Sequence, residues 1–267
     1  MKPRSILILS LVSPWTLFGV DTGTKRLPLA GEEFSVQGHA AFVISPPTNP
    51  TRQSVPWVWY APTLPDLPSE AERWMFERFR ESGIAIAGID VGESYGSPTG
   101  CDLYSAFFDE MTQKRGFAAK PVLLGRSRGG LMALSWAVDH PGNVAGFAGI
   151  YPVTNLASYP GLAKAASAYR LTEPELAARL ADYNPIDRLA GLAHAQVPMF
   201  SIHGDSDKIV PLESNSRELK RRYSALGGTV QLIVPPGQGH NMWSGFFQSE
   251  ELVKFVTRSA IRGAGAK

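Results

Sequence analysis

Gly125-Arg126-Ser127-Arg128-Gly129 sets a serine between two glycines in the pattern G-x-S-x-G. Five loosely specified positions carry little weight alone, so their setting decides what they mean. An apolar run at 122–124 ends where the motif begins, and a helix-forming stretch opens near Gly130. A strand-turn-helix of this kind crowds the turn, and a strained serine there needs neighbours without Cβ atoms. The helix N-terminus would stabilise negative charge developing beside Ser127, with the Arg128 N–H as the expected first oxyanion donor. A serine hydroxyl is a weak nucleophile at neutral pH; it needs a base, and the base needs a third group to fix its tautomer. Of the five histidines, His39, His140, His194 and His203 have structural readings in a hairpin, a helix end, a connection and a strand end. His240 follows the last apolar run, in the loop after 235–239, where the chain order serine, acid, histidine places the base. Asp205 and Asp207 both follow the run that ends at Ile202, and either could be the acid.

These residues need elements that bring strand ends to one face. Residues 34–37 and 40–44 read as an opening hairpin joined through Gly38 and His39. Residues 56–60 form an aromatic, β-branched strand that stops at Ala61-Pro62. Ser69 and Glu72 then have capping-box spacing, Ala71, Trp74, Met75 and Phe79 share one helical face, and Gly83 supplies the stop. Residues 84–89 are apolar throughout rather than alternating, as a strand covered on both faces is, and similar runs follow at 122–124, 144–150, 199–202 and 230–234. Helix-like stretches lie at 131–138 and 213–226, the latter ended by Gly227-Gly228. Buried strands alternating with helices predict an α/β fold, a doubly wound and mostly parallel sheet with ligands at the carboxyl ends of its strands. One domain over 31–260 is expected, since no low-complexity linker divides the chain.

Beyond the serine motif stand Asp90-Val91-Gly92-Glu93-Ser94-Tyr95-Gly96, Asn184-Pro185-Ile186-Asp187, the run from His203 through Asp205, Asp207 and Val210 to Pro211, and Gly239-His240. Together these resemble the α/β-hydrolase superfamily, its small serine esterase and prolyl-oligopeptidase-like branch, over roughly residues 34–256. The superfamily pattern H-G-x-x-D-x-x-V-P falls on His203, Gly204, Asp207, Val210 and Pro211. The resemblance therefore implies a triad of Ser127, His240 and Asp207, and leaves Asp205 to shape its loop. A second oxyanion donor is expected from the loop after residue 60, where this chain has Tyr60-Ala61-Pro62-Thr63 in place of the superfamily's His-Gly-Gly. Pro62 has no N–H to give, so Ala61 or Thr63 is the expected donor, with the Tyr60 hydroxyl as a substitute.

Arg126 and Arg128 flank the serine, although a helix N-terminus disfavours cations. Either they form ion pairs with Asp90, Glu93 or Asp102, or a guanidinium faces the pocket and takes a substrate carboxylate or steadies the oxyanion. The Ser-Arg-x-Gly arrangement is locally similar to that of glucuronoyl esterases, which carry a cysteine where this chain has Arg126. Tyr60, Glu93, Arg126, Tyr151 and Trp243 are the expected substrate-binding residues. The segment 151–184 takes the place of a lid and is short, which argues against a long-chain lipase. The expected reaction is hydrolysis of carboxylic esters through an acyl-enzyme, without metal or organic cofactor, on short acyl groups of small-molecule, saccharide or plant-derived substrates. A serine peptidase of the prolyl-oligopeptidase type and an inactive binding protein on the same fold are the alternatives.

With 44% hydrophobic residues in 267, the chain can bury a sizeable core, and 26 basic against 24 acidic residues leave no polyanion-binding footprint, so nucleic acid is not an expected partner. The single cysteine, Cys101, excludes an intrachain disulfide and a multi-thiolate zinc site. It follows a turn-rich stretch, 96–100, that lacks the signatures of thiol enzymes. Lys2, Arg4 and an interrupted apolar stretch over 6–18 outline a signal peptide at 1–19. A secreted or periplasmic location is expected, with a cytoplasmic one as the alternative, and no stable membrane span.

Overall fold

The computed structural model describes residues 25–47 and 54–265; the expected signal peptide lies outside them. Strands β1 (Glu32–Val36) and β2 (His39–Ile44) pair antiparallel across a turn at Gln37 and Gly38. They are followed by β3 (Trp57–Ala61), α1 (Arg73–Glu81), β4 (Ala85–Ile89), α2 (Pro98–Asp109), β5 (Val122–Arg126), α3 (Arg128–Asp139) and β6 (Gly146–Ile150). Four short helices lie before the next strand: α4 (Leu162–Ala165), α5 (Glu173–Ala178), α6 (Leu180–Tyr183) and α7 (Ala190–His194). The chain ends with β7 (Met199–Ile202), α8 (Glu218–Ala225), β8 (Val230–Ile233), α9 (Ser244–Phe247) and α10 (Glu250–Gly265). The eight strands form one open sheet in the order β1-β2-β4-β3-β5-β6-β7-β8. β2 joins β4 antiparallel, and every pairing from β4 onward is parallel. This is the α/β fold the sequence predicts, that of the α/β-hydrolases.

Every residue of β3, β4, β6 and β7 is buried, which is why these runs show no polar alternation. β3 sends Trp57 and Trp59 to one face, where they pack with Phe107 of α2 and Trp136 of α3. Val58 and Tyr60 point to the other, into a layer with Phe76 and Phe79 of α1 and Phe255 of α10. A smaller cluster of Leu131, Val153, Leu156, Tyr169, Leu176 and Val210 seats the segment between β6 and β7.

Two boundaries differ from the sequence reading. β5 runs on to Arg126 and α3 begins at Arg128, so the turn between them is the single residue Ser127 rather than five residues. Cys101 sits in the first turn of α2, whose glycine-rich start, with Pro98 in the opening turn, resembles a loop in sequence. Burial pushes the Cys101 thiol up to about 12, so it stays protonated at neutral pH. Among the described residues no helix is long and apolar enough to cross a membrane.

Candidate active site

Ser127 has φ 52° and ψ −126°, a left-handed conformation that lifts its side chain off the sheet between β5 and α3. The turn closes because its neighbours lack Cβ atoms: one on Gly129 would lie 2.1 Å from the Ala61 carbonyl, and one on Gly125 would lie 2.5 Å from the Gly130 Cα. The Ser127 N–H donates to the Ile150 carbonyl at the end of β6, and the next residue, Tyr151, also has positive φ, 34°. Both central strands thus leave the sheet through strained residues, side by side.

His240, in the loop after β8, lies with Nε2 2.9 Å from Ser127 Oγ and Nδ1 2.7 Å from Asp207 Oδ2. An ionised carboxylate only accepts, so Nδ1 carries the proton and Nε2 is free to accept from the serine hydroxyl. The Tyr151 ring packs against the imidazole at 4.3 Å. Asp207 Oδ1 accepts the N–H groups of Ile209 and Val210 at 2.9 and 2.8 Å. Beneath it the fully buried His203 donates from Nε2 to the Val210 carbonyl at 2.8 Å, with Asp207 Oδ2 at 3.4 Å, while Ser216 Oγ donates to its Nδ1. Burial opposes ionisation of Asp207, but hydrogen bonds from His203, His240 and the Val210 N–H outweigh it and hold the carboxyl well below the usual range. Asp205 makes no such contact. Its Oδ1 accepts from the Gly237 N–H and Ser206 Oγ, both at 2.8 Å, and braces the loop that leads to His240.

The cleft above Ser127 has a volume of about 250 Å³ and is bounded by Pro62, Leu67, Arg126, Arg128, Tyr151 and Met242, with Asn241 beside His240. Arg126, Arg128 and Tyr151 are where the sequence expects them, but other expectations are corrected. Tyr60 is fully buried and its hydroxyl donates to Glu72 Oε1 at 2.9 Å, so it reaches neither the oxyanion position nor the substrate. Ala61 and Thr63 are both buried and neither lines the cleft, Ala61 lying with its carbonyl against Gly129 and Thr63 with its hydroxyl on the Tyr60 carbonyl. The residue this loop presents to the cleft is Pro62, which has no N–H. Trp243 packs edge-on against Phe246 and stays 41% exposed outside the cleft, whose wall Met242 forms instead.

The two arginines are partnered differently. Arg128 Nη2 meets the half-exposed Glu93 at 2.8 Å, one of the carboxylates expected for an ion pair. Glu93 therefore acts on the cleft through Arg128 rather than lining it. Arg126 pairs with none of Asp90, Glu93 or Asp102. Its Nη1 donates to Glu72 Oε1 at 2.8 Å, its Nη2 to Met242 Sδ at 3.0 Å, and its guanidinium lies 5.0 Å over the Phe247 ring. Glu72 is fully buried, and its Oε2 also accepts the Ser69 N–H and Oγ as the capping box before α1. A substrate carboxylate at Arg126 would share a cation already neutralised. Among the described residues no group of three His, Cys, Asp or Glu could hold a metal ion.

The profile of the prolyl oligopeptidase family matches residues 104–258, from α2 through α10 and including Ser127, Asp207 and His240. No curated sequence matches the chain. Among solved structures, the dipeptidyl peptidase 4 of Porphyromonas gingivalis superposes with a TM-score of 0.68 at 17% identity, over 86% of this chain and 35% of that one. A truncated carbohydrate esterase from gut microbiota gives 0.66 at 16%, over 87% and 93% of the two chains. Est1E from Butyrivibrio proteoclasticus gives 0.60 at 16%, over 88% and 99%. The chain spans 39% of the length of a puromycin hydrolase of the same fold. With a profile match over more than half its length, the chain belongs to the prolyl oligopeptidase family.

Proposed function

We propose that the chain is a serine hydrolase that cleaves carboxylic esters through an acyl-enzyme on Ser127, with His240 as general base and acid and Asp207 orienting the imidazole. The observation that carries this reading is the relay from Ser127 Oγ to His240 Nε2 and from Nδ1 to Asp207, at 2.9 and 2.7 Å, built on a left-handed serine. His240 takes the hydroxyl proton as Oγ bonds to the acyl carbon, the carbonyl π electrons become the oxyanion, and Asp207 stabilises the imidazolium. Collapse of the tetrahedral intermediate breaks the bond to the alcohol oxygen, which receives the proton from His240. Water repeats the sequence to release the acid and free the serine. The oxyanion forms at the N-terminus of α3, with the Arg128 N–H as donor.

The cleft supports short acyl groups, because Leu67, Tyr151 and Met242 close about 250 Å³ around the serine. Saccharide or plant-derived alcohols are the preferred partners of such an acyl group. Family membership favours a second reading, a peptidase. The test is kcat/KM on p-nitrophenyl acetate, butyrate and octanoate against alanyl and prolyl p-nitroanilides. The ester reading expects the acetate to be turned over fastest and the octanoate poorly. A p-nitroanilide turned over faster than the acetate would transfer the chain to the peptidase reading.

A further inference from the structure

Across Met242 from the serine cleft lies a second groove of about 360 Å³, between the start of α1 and α9. Met242 borders both spaces. It is 55% exposed, and its one hydrogen bond to Arg126 is through the thioether sulfur, a weak acceptor. An unbranched side chain with so little to hold it is a wall that can turn aside.

The lining of the groove tells what it would take. The half-buried Trp74, one face of which lies 4.6 Å under the Arg78 guanidinium, supplies apolar surface over a floor formed by the buried Phe247, while Glu77, Ser244 and Gln248 supply acceptors and donors. Its charges are already paired, Arg73 with Glu70 at 2.6 Å and with Glu77 at 3.9 Å. An alkyl chain here would strip water from Glu77, Ser244 and Gln248 without replacing their hydrogen bonds. An anion would meet two carboxylates against one guanidinium. A neutral polyhydroxylated ring satisfies both parts, its C–H face against the aromatic surface and its hydroxyls toward the polar one.

We propose that this groove is a second subsite of the Ser127 centre, which binds a neutral sugar residue of the ester's alcohol part, with Met242 as the movable wall between them. The inference rests on the ester-hydrolase reading. When Met242 turns away, Glu72 still holds Arg126 through Nη1, and the freed Nη2 can donate to a sugar oxygen at the junction.

The experiment has two readouts: binding of free xylotriose to the Ser127→Ala protein by NMR titration, and turnover of p-nitrophenyl acetate by otherwise wild-type protein. Ser244→Trp fills the groove from its exposed rim and should weaken xylotriose binding about tenfold or more, with Gln248→Ala weakening it about threefold. Both variants should keep kcat/KM on p-nitrophenyl acetate within about twofold and leave the melting temperature unchanged. No xylotriose binding, or binding indifferent to both substitutions, while the acetate is hydrolysed, would overturn the subsite and leave the ester reading intact. Saccharide binding without any ester turnover would overturn the groove's role as a subsite along with that reading.

Discussion

The two sides of the cleft are built on opposite plans. On one side Ser127, His240 and Asp207 come from the carboxyl ends of β5, β8 and β7, and the serine hydroxyl, in contact with His240, faces open space. On the other, Arg126, Glu72 and Tyr60 close on one another, and Glu72 and Tyr60 are fully buried. A polar group with an open side can exchange its partner for a substrate, whereas one satisfied within the protein can only hold geometry. The contrast favours chemistry at the first cluster and support at Glu72 and Tyr60, while Arg126, held by Glu72 through Nη1 and by Met242 only through a weak thioether acceptor, keeps one exchangeable contact. Each variant below is a way to break one plan without the other.

The largest effect is expected at Ser127. Ser127→Ala should lower kcat by about 10⁴-fold or more, because the attacking atom is gone while the cleft remains. Asp207→Asn should come next, with a loss of up to about 10⁴-fold from the wrong tautomer at His240, while Asp205→Asn should lose less than about tenfold. Steady-state kinetics on one ester settles the order, and a larger loss at Asp205 would reverse the assignment of the acid.

On the supporting side the expected losses are in stability. Glu72→Ala leaves Arg126 without its buried partner and should cost about 3–5 kcal/mol in urea unfolding. The double variant Glu72→Gln/Arg126→Met should recover much of that, since no charge is then left unpaired. Glu93→Ala removes a partly exposed pair with Arg128 and should cost at most about 1 kcal/mol. If Glu72→Ala and Glu93→Ala cost the same, the second cluster is not the support described here.

The smallest effect is in pH. Because the folded protein holds Asp207 ionised below its ordinary pKa of about 3.9, its stabilising contribution is full above that value and is lost as pH falls through the depressed folded value. Melting temperature between pH 5 and 2 should therefore fall more steeply in wild type than in Asp207→Asn. Parallel curves would mean that the carboxylate's hydrogen bonds do not favour its charged form.

The same contrast explains what could be read in the sequence. Ser127, Asp207 and His240 each follow a largely apolar run that forms a strand, buried in β5 and β7 and partly exposed in the edge strand β8, so chain order and a local pattern point to them before any contact is known. The Arg126–Glu72 pair spans 54 positions and the Arg126–Met242 contact 116. Glu72 was legible only as a capping-box residue, and that role is real, but it occupies one carboxylate oxygen and leaves no trace of what the other holds. His203 read as a strand end, although its spacing of four from Asp207 puts it beneath that carboxylate. Tyr60 misled because a tyrosine at a strand end suits a site as well as a core; the layer holding Phe76 decided for the core. The glycines at its start hide α2, and the serine turn between β5 and α3 reads as five residues because Arg126 looks polar for a strand end and Arg128 unsuited to a helix start.

The most direct measurement is the site of covalent labelling by a fluorophosphonate at neutral pH, mapped by mass spectrometry of the proteolysed protein. Phosphonylation should fall on Ser127 alone, occur in wild type and Asp205→Asn, and slow sharply when His240 is replaced by alanine. An adduct elsewhere, or labelling that persists in Ser127→Ala, would contradict the assignment of the nucleophile.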